Sequence, residues 1–289
     1  MTESLSHSVA VLDVGGTSIK GGVVRDGEVG HSSPIQTLAN SNAEVIFEQF
    51  AKAADAALQL AGPGAIGLAI SFPGPFERTA GAPLMRGLHK FDSIYNVELR
   101  PELRARTTVG DLPINFVHDN EAAGVGEAVA GAGRSVSRVL TVTLGTGVGT
   151  CLTDHGVPVP LIGDLAVKRL ALRDTQWGRA DDVLSARGLA TRLGVSTDEL
   201  RKAVDSGDVS ETVRDHGDRI GMFLSPVVEE VGADMVVIGG GLSGAFELFG
   251  PALQAALGPT PCVVAALGSD GPLLGAATLA FPVTGRRSC

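Results

Sequence analysis

The chain has 289 residues, of which 44% are hydrophobic, 19% are charged and 39 are glycine. A formal net charge of −9, with no basic run longer than Arg286-Arg287, argues against a surface for nucleic acid or anionic membrane. Glycine is far above its usual share of about 7%, and because the apolar content is enough for a packed core, it indicates many tight turns rather than a disordered chain.

The first half of the chain alternates between predicted strands and helices. Residues 9–14 form an apolar strand that ends in the turn Gly15-Gly16-Thr17, a second strand follows at 19–24, and Asp26-Gly27 predicts a hairpin turn into a third. The remaining elements of this half are a helix at 43–61, a buried strand at 66–70, a short strand at 114–117 and a helix at 121–130.

The second half repeats the opening pattern. A strand at 139–143, the turn Gly145-Thr146-Gly147, a strand at 148–152 and a turn containing Asp154 follow the same order as residues 9–27. A helix-rich stretch then leads to further elements, namely a strand at 235–238, the turn Gly239-Gly240-Gly241, a helix at 245–257, a strand at 262–266 and a final helix from Pro272. The repeat predicts a duplicated α/β domain with helices on the faces of mixed sheets.

The first glycine turn has the composition of a phosphate site. Successive backbone N–H groups without bulky side chains form a concave nest for an anion. Asp13 at the end of the preceding strand can hold a hydrated Mg²⁺, which keeps its waters and needs only one or two carboxylates. An ordinary hairpin turn with a solvated aspartate explains this segment equally well.

Two later turns strengthen the phosphate interpretation. The turn at 145–147 has the same composition in the duplicated position, and two such hairpins can grip a polyphosphate from both sides. Residues 239–244 satisfy G-x-G-x-x-G, but no acidic residue ends a strand about 20 positions later, so a dinucleotide site is disfavoured. We expect an adenosine to lie against this turn, with a tightly packed strand-to-helix turn as the alternative.

Asp119 is the candidate general base. Phosphoryl transfer to an alcohol needs a carboxylate that accepts the hydroxyl proton, and Asp119 stands between a short strand and a helix, upstream of the second turn. The alternative is that Asp119 or Asn120 only caps the helix. Both roles can hold together, since a capping position also fixes a carboxylate.

The motifs together resemble the ROK family of sugar kinases and sugar-responsive repressors, within the actin-like ATPase superfamily. They are Asp-x-Gly-Gly-Thr-x-x-Lys from Asp13, Pro-Gly-Pro at 73–75, Asp119 before Ala-Ala-x-x-Gly-Glu, Leu-Gly-Thr-Gly-Val-Gly from Leu144, and Gly-Gly-Gly at 239–241. The resemblance runs from about residue 9 to residue 280. It implies an α/β fold of two ribonuclease-H-like domains, with mixed sheets flanked by helices and a cleft between them.

The resemblance also implies domains, ligands and site residues. We expect an N-terminal domain at 1–118 and a C-terminal domain at 119–289 whose last helix packs back on the first. The ligands implied are ATP with Mg²⁺ and a hexose. Asp119 matches the catalytic base, and Asp13 would hold Mg²⁺ through water. The nucleotide- and phosphate-binding residues implied are Gly15, Gly16, Thr17, Lys20, Gly145, Thr146, Gly147, Gly239, Gly240 and Gly241. The sugar-binding residues implied are Gly74, His118, Asp119, Asp164 and Asp181.

The sequence departs from the family pattern on the sugar side. No His or Cys occurs between residues 160 and 190, so we expect no zinc, and Val167 replaces the family's sugar-binding histidine. Asp164 and Asp181 match acidic sugar-site positions, although either could be a surface carboxylate. His118 stands where many members have Asn, and a solvated or core-satisfied histidine is equally open. Residues 86–92 would face the cleft and could supply hydroxyl-binding groups.

These observations leave three functions open. The first is an ATP-dependent sugar kinase. The second is a non-catalytic sugar- or nucleotide-binding regulator of the same fold, and the third is a glucokinase that uses polyphosphate. The first strand is predicted to begin by residue 9, so we expect no helix-turn-helix of the kind that the family's repressors carry.

The remaining features concern compartment and assembly. Three widely spaced cysteines, Cys151, Cys262 and Cys289, indicate reduced thiols in a cytoplasmic protein. Residues 1–8 carry no Lys or Arg, so we expect no signal peptide, and prolines interrupt the uncharged stretch 56–76, so we expect no membrane span. A homodimer is common in the family and stays open.

Overall fold

The computed structural model describes residues 7–87, 90–160, 170–207 and 209–282. Cα packing divides the chain into two compact units. The first unit runs to Gly126 and resumes at Ser269, and the second is Glu127–Gly268. The domain boundary expected after residue 118 stays a prediction.

The first unit contains a mixed sheet in the order β3-β2-β1-β5-β8, with β4 paired to β2. Strands β1, β2 and β3 are antiparallel neighbours, whereas β5 and β8 run parallel to β1. Its strands are β1 (Ser8–Val14), β2 (Ser18–Arg25), β3 (Glu28–His31), β4 (Ile35–Gln36), β5 (Ala65–Phe72), β6 (Phe76–Glu77), β7 (Ala82–Pro83) and β8 (Ile114–His118).

The second unit contains a mixed sheet in the order β11-β10-β9-β14-β15. Strands β9 and β10 form an antiparallel hairpin and β14 lies parallel to β9, which matches the arrangement of β1, β2 and β5. The duplication read from the sequence is therefore present in the strand order. Its strands are β9 (Arg138–Leu144), β10 (Val148–Asp154), β11 (Val157–Val159), β12 (Asp174–Thr175), β13 (Gly178–Arg179), β14 (Met235–Gly239) and β15 (Cys262–Val264).

Helices cover the sheets in both units. They are α1 (Ala43–Ala61), α2 (Leu99–Arg106), α3 (Asp119–Ala130), α4 (Ala180–Val183), α5 (Ala186–Leu193), α6 (Leu200–Asp205), α7 (Ser210–Val231), α8 (Phe246–Leu257) and α9 (Asp270–Ala280). Helix α1 begins where the Asn42 side chain accepts the Val45 N–H and ends at Gly62, whose φ is 66°. Its apolar face packs on β1 and β2. Among the described residues, no helix is long and apolar enough to cross a bilayer.

Glycines let two helix pairs approach closely. A Cβ added at Gly275 of α9 would lie 1.8 Å from the Ala122 carbonyl oxygen of α3, and one at Gly126 would lie 2.0 Å from the Gly271 oxygen. In the second unit, a Cβ at Gly217 of α7 would lie 2.2 Å from the carbonyl oxygen of Phe249 in α8. Such distances are too short for any side chain, so these helical glycines are required by packing.

Candidate functional site

The first glycine turn joins β1 to β2, and Thr37 fixes its shape. The buried Thr37 donates its hydroxyl to the Gly15 carbonyl at 2.7 Å and its N–H to the Thr17 carbonyl at 3.0 Å. The Gly15 N–H donates to the Ser18 carbonyl at 3.0 Å. Across the described part of the chain, no acceptor is bonded to the N–H groups of Gly16 and Thr17. Paired donors of this kind bind a phosphate oxygen.

Asp13 lies in β1 directly before this turn, opposite Ser71 of β5. The Ser71 hydroxyl donates to Asp13 Oδ1 at 3.0 Å. Burial raises the pKa of Asp13, and the Ser71 hydrogen bond and the positive charge of Lys20 offset only part of that rise. Neighbouring protein groups therefore offset the burial of this negative charge only in part, so a cation that arrives with a ligand would stabilise the charged form of Asp13.

Asp119 is the first residue of α3 and follows β8 directly. Its Oδ1 accepts the Asn120 N–H at 2.8 Å, a bond to the adjacent residue and not the bond to N2 or N3 that an N-cap makes. Burial raises the pKa of Asp119 to about 6; the Asn120 hydrogen bond and Lys90 lower it, and the nearby Asp13 charge raises it. The residue keeps partial exposure. A reachable carboxyl that titrates near neutrality suits a general base.

Three parallel strands bring the predicted residues of the first unit to one sheet edge. Asp13 is the penultimate residue of β1, and Gly74 lies two residues beyond β5. His118 ends β8 opposite Phe72, with Asp119 next in the chain. Both Gly74 and His118 are half-buried. The carboxyl edge of parallel strands is the usual ligand-binding edge of open α/β sheets.

The second glycine turn joins β9 to β10 and is held by Asp181. The Gly145 N–H donates to the Gly147 carbonyl at 3.0 Å, and the Val148 N–H donates to Asp181 Oδ1 at 2.7 Å. A Cβ on Gly147 would lie 2.5 Å from that same Oδ1. Asp181 Oδ2 also pairs with the Arg187 guanidinium at 3.0 Å. The structure therefore brings Asp181 against the second glycine turn.

The third glycine turn lies beside the second. Gly240 has a φ of 82°, and a Cβ added there would lie 2.7 Å from backbone atoms of Leu144. Gly239 ends β14 opposite Thr143 of β9. Among the described residues, no heavy atom beyond its chain neighbours lies within 4 Å of the point that a Cβ on Gly241 would occupy. Close packing therefore explains Gly240, which agrees with the alternative of a tightly packed strand-to-helix turn. Gly241 leaves room for a ligand.

Some predicted positions are outside the described residues. They include Asp164 and Val167, together with Leu88 and His89 of the segment 86–92. In the described ranges, no group of three or more His, Cys, Asp or Glu side chains could hold a metal ion.

Two residues of the first unit were missed by sequence reasoning. Ser71 was visible only as the residue before Phe72-Pro73, and its position opposite Asp13 depends on the pairing of β1 with β5. No sequence pattern around Thr37 indicated its role, because its two hydrogen bonds to the first turn depend on where the chain returns after β4. A strand register would have been needed to find either one.

Comparison with known proteins identifies the family. The model of the ROK family matches residues 9–158, which is more than half of the chain. Over 261 residues the chain is 28% identical to the uncharacterized protein CPE0188 of Clostridium perfringens, with 86% of each chain covered. It is 31% identical to the glucokinase of Thermotoga maritima over 147 residues, which are 50% of this chain and 44% of that kinase. The chain therefore spans about half of the kinase's length in this match.

A solved structure matches nearly the whole chain. The ROK family glucokinase from Streptomyces griseus, in complex with glucose and AMPPNP, superimposes with a TM-score of 0.76 at 22% identity, covering 94% of this chain and 99% of the other. This likeness confirms the expected α/β fold of mixed sheets flanked by helices. Strand order, glycine turns and the family match agree: the chain belongs to the ROK family.

Proposed function

We propose that the protein is an ATP-dependent sugar kinase, which transfers the γ-phosphoryl group of ATP to a hexose hydroxyl with Asp119 as general base. The observation that carries the proposal is the environment of Asp119. It is a partly exposed carboxyl with a pKa raised to about 6, near Asp13 and at the same sheet edge as the first turn. Family membership supports the sugar-kinase class.

We assign the three glycine turns to nucleotide binding. The unbonded N–H groups of Gly16 and Thr17 support a phosphate at the first turn, and the open space at Gly241 supports an adenosine at the third. The full proposed set is Gly15, Gly16, Thr17, Lys20, Gly145, Thr146, Gly147, Gly239, Gly240 and Gly241.

Asp13 fits a magnesium ion that arrives with the nucleotide. Its carboxylate is buried, receives one hydroxyl from Ser71 and is undercompensated by Lys20. Mg²⁺ prefers oxygen ligands and needs few carboxylates from the protein. When bound, the ion neutralises charge on the phosphate oxygens. We therefore assign Asp13 as its protein partner, through water.

On the sugar side, we retain Gly74, His118 and Asp119 at the sheet edge, and Asp164 stays a prediction. For Asp181 we propose a different role. Its bonds to Val148 and Arg187 support a structural role in the second phosphate turn instead of a direct contact with the sugar. A carboxylate that accepts a turn N–H keeps that turn in its phosphate-binding shape.

In the proposed reaction, the hexose hydroxyl donates its proton to Asp119 as its oxygen attacks the γ-phosphorus. The bond from that phosphorus to the β–γ bridging oxygen breaks, and ADP leaves with the electron pair. The N–H groups of the first turn stabilise negative charge on the phosphate oxygens. Asp119 then returns its proton to solvent, which its partial exposure permits.

Activity should depend on pH through Asp119. Only the ionised carboxylate accepts a proton, so kcat/KM for the sugar should fall about tenfold per pH unit below about 6, the pKa to which burial raises this group. A pH profile of initial rates between pH 5 and 8 measures this, with thermal unfolding at pH 5 as the control for integrity. A profile that stays flat to pH 5 contradicts the assignment.

A coupled ADP-release assay tests the function itself. We expect turnover that depends on one sugar of a panel of hexoses and amino sugars, with ATP as donor. Polyphosphate releases no ADP, so the polyphosphate-using alternative is tested by replacing ATP with polyphosphate and measuring the sugar phosphate that forms. The absence of sugar-stimulated turnover with either donor would overturn the kinase proposal.

A non-catalytic regulator is the second candidate. Its support is the altered sugar side, with His118 in place of Asn and Val167 in place of His. Sugar binding by calorimetry without turnover would favour it. A cytoplasmic location and a homodimer stay predictions.

A further inference from the structure

Lys90 lies over the first glycine turn. Its Cδ is 3.8 Å from the point that a Cβ on Gly16 would occupy, and the residue is half-buried. The aliphatic stem of the lysine therefore covers the turn whose N–H groups at Gly16 and Thr17 lack acceptors among the described residues. Long basic side chains often lay the stem on protein and keep the charged head free.

The backbone at Lys90 is fixed by its neighbour. The Phe91 N–H donates to the Ala39 carbonyl at 2.8 Å, and its ring is fully buried against Phe50 and Phe72. Phe91 has a φ of 60°, in the left-handed region that non-glycine residues seldom adopt. These contacts hold the conformation against its local cost, so the lysine side chain starts from a set position.

The negative charges of Asp13 and Asp119 favour a cation beside the first glycine turn. Asp13 and Asp119 interact electrostatically, and Lys90 lies near enough to Asp119 to favour its charged form. Lys90 has no ion pair with any carboxylate in the part of the chain that the structure describes. Two carboxylates repel an incoming polyphosphate, whereas a lysine ammonium binds phosphate oxygens as a point charge. Lys90 therefore has a charge to offer a ligand.

We propose that Lys90 is a catalytic residue that binds the transferring phosphoryl group, an assignment that rests on the proposed kinase function. Its ammonium contacts an oxygen of the γ-phosphoryl group beside the first turn. The sugar oxygen forms its new bond to phosphorus, the bond to the bridging oxygen of ADP breaks, and the hydroxyl proton goes to Asp119. Lys90 keeps its own protons throughout and stabilises the charge on the phosphoryl oxygens.

The test compares Lys90→Met with Lys90→Arg, and Lys52→Met is the matched control. Lys52 is an exposed lysine of α1 in the same unit. We expect Lys90→Met to lower kcat about 100-fold, with the sugar KM within about twofold and the thermal midpoint unchanged. Lys90→Arg should recover part of the loss, because it restores the charge. Lys52→Met should match the unsubstituted protein.

A second readout separates contact from mere structural support. Removal of the Lys90 charge should move the acidic limb of the kcat/KM profile to higher pH, since this lysine lowers the pKa of Asp119. Lys52→Met should leave the limb in place. If Lys90→Met keeps both the kcat and the pH limb of an active parent protein, the proposal is wrong.

Failure of the kinase proposal gives a different pattern. If the unsubstituted protein shows no turnover with any sugar or donor, the kinase proposal fails, and AMPPNP with Mg²⁺ becomes the probe in calorimetry. An affinity at least about tenfold weaker in Lys90→Met alone would support a phosphate contact without transfer. Equal affinities in Lys90→Met and the parent would overturn the phosphate contact as well.

Discussion

Replacing Asp119 by Asn should lower sugar-dependent kcat by at least about 1,000-fold and leave the affinity for AMPPNP within a few-fold. The substitution keeps an oxygen that accepts the Asn120 N–H, so the start of α3 is preserved while the proton acceptor is lost. Coupled ADP release and calorimetry measure the two quantities. Asp111→Asn, at an exposed aspartate of the same unit, is the control and should be fully active.

The same substitution should stabilise the fold near neutral pH. The pKa of Asp119 is 3.8 in its ordinary state and about 6 in the folded protein, chiefly because of burial. The folded protein therefore binds a proton more tightly than the unfolded chain, and this carboxyl costs stability as pH rises from about 4 to above 6. With a discount for its partial exposure, the cost is about 1–3 kcal/mol.

Urea unfolding at two pH values tests this linkage. Asp119→Asn should be more stable than the parent protein by that amount at pH 7, and the difference should vanish near pH 3, where the aspartate is largely protonated in both states. An inactive variant that is also less stable at pH 7 would contradict the picture, since it would mean that the carboxylate supports the fold. Retention of most turnover would overturn the assignment of the base.

Gly275→Ala should destabilise the first unit by at least about 3 kcal/mol. The new Cβ would lie 1.8 Å from the Ala122 carbonyl oxygen and 2.8 Å from the Gly126 nitrogen, both of which are backbone atoms. Neither can yield as a side chain could, so α9 must move away from α3. That movement also weakens the contacts of α9 with β1 and β5. For a unit of this size, the thermal midpoint should fall by about 6–12 °C.

Thr278→Ala is the control in the same helix. The Thr278 hydroxyl donates only to the Leu274 carbonyl one turn back, so its loss should change stability by about 0.5 kcal/mol or less. Calorimetry of thermal unfolding compares the two variants. If Gly275→Ala unfolds at the midpoint of Thr278→Ala, the close crossing of α3 and α9 is not a constraint on this fold.

Local patterns were enough to predict the turns and their neighbours. Asp13 before Gly15-Gly16-Thr17, the repeated turn at 145–147 and Asp119 between strand and helix are all contiguous in sequence, and each lies at the predicted strand end. Backbone requirements of this kind are short-range, because a turn is defined by three or four residues. The duplication of the hairpin was readable for the same reason.

Pairings between distant segments were not readable. Thr37 and Ser71 reach the first turn through strand registers, and Lys90 reaches it through the burial of Phe91. For Asp181, family likeness suggested a sugar contact, whereas its bond to the Val148 N–H depends on the packing of α4 beside the second turn. The helical Gly275 gave no local signal either, since its reason is the backbone of another helix.

Helix α9 belongs to the first unit, and this affects the order in which the two units can be completed during synthesis. Residues 127–268 interrupt the sequence of that unit, so the second unit leaves the ribosome complete while the first still lacks a helix. Domains generally fold as units during synthesis, from the N-terminus onward. Here the usual order is reversed: the unit that begins the chain is completed only after the other, when α9 can meet α3 and the sheet edge that carries Asp119 gains its last support.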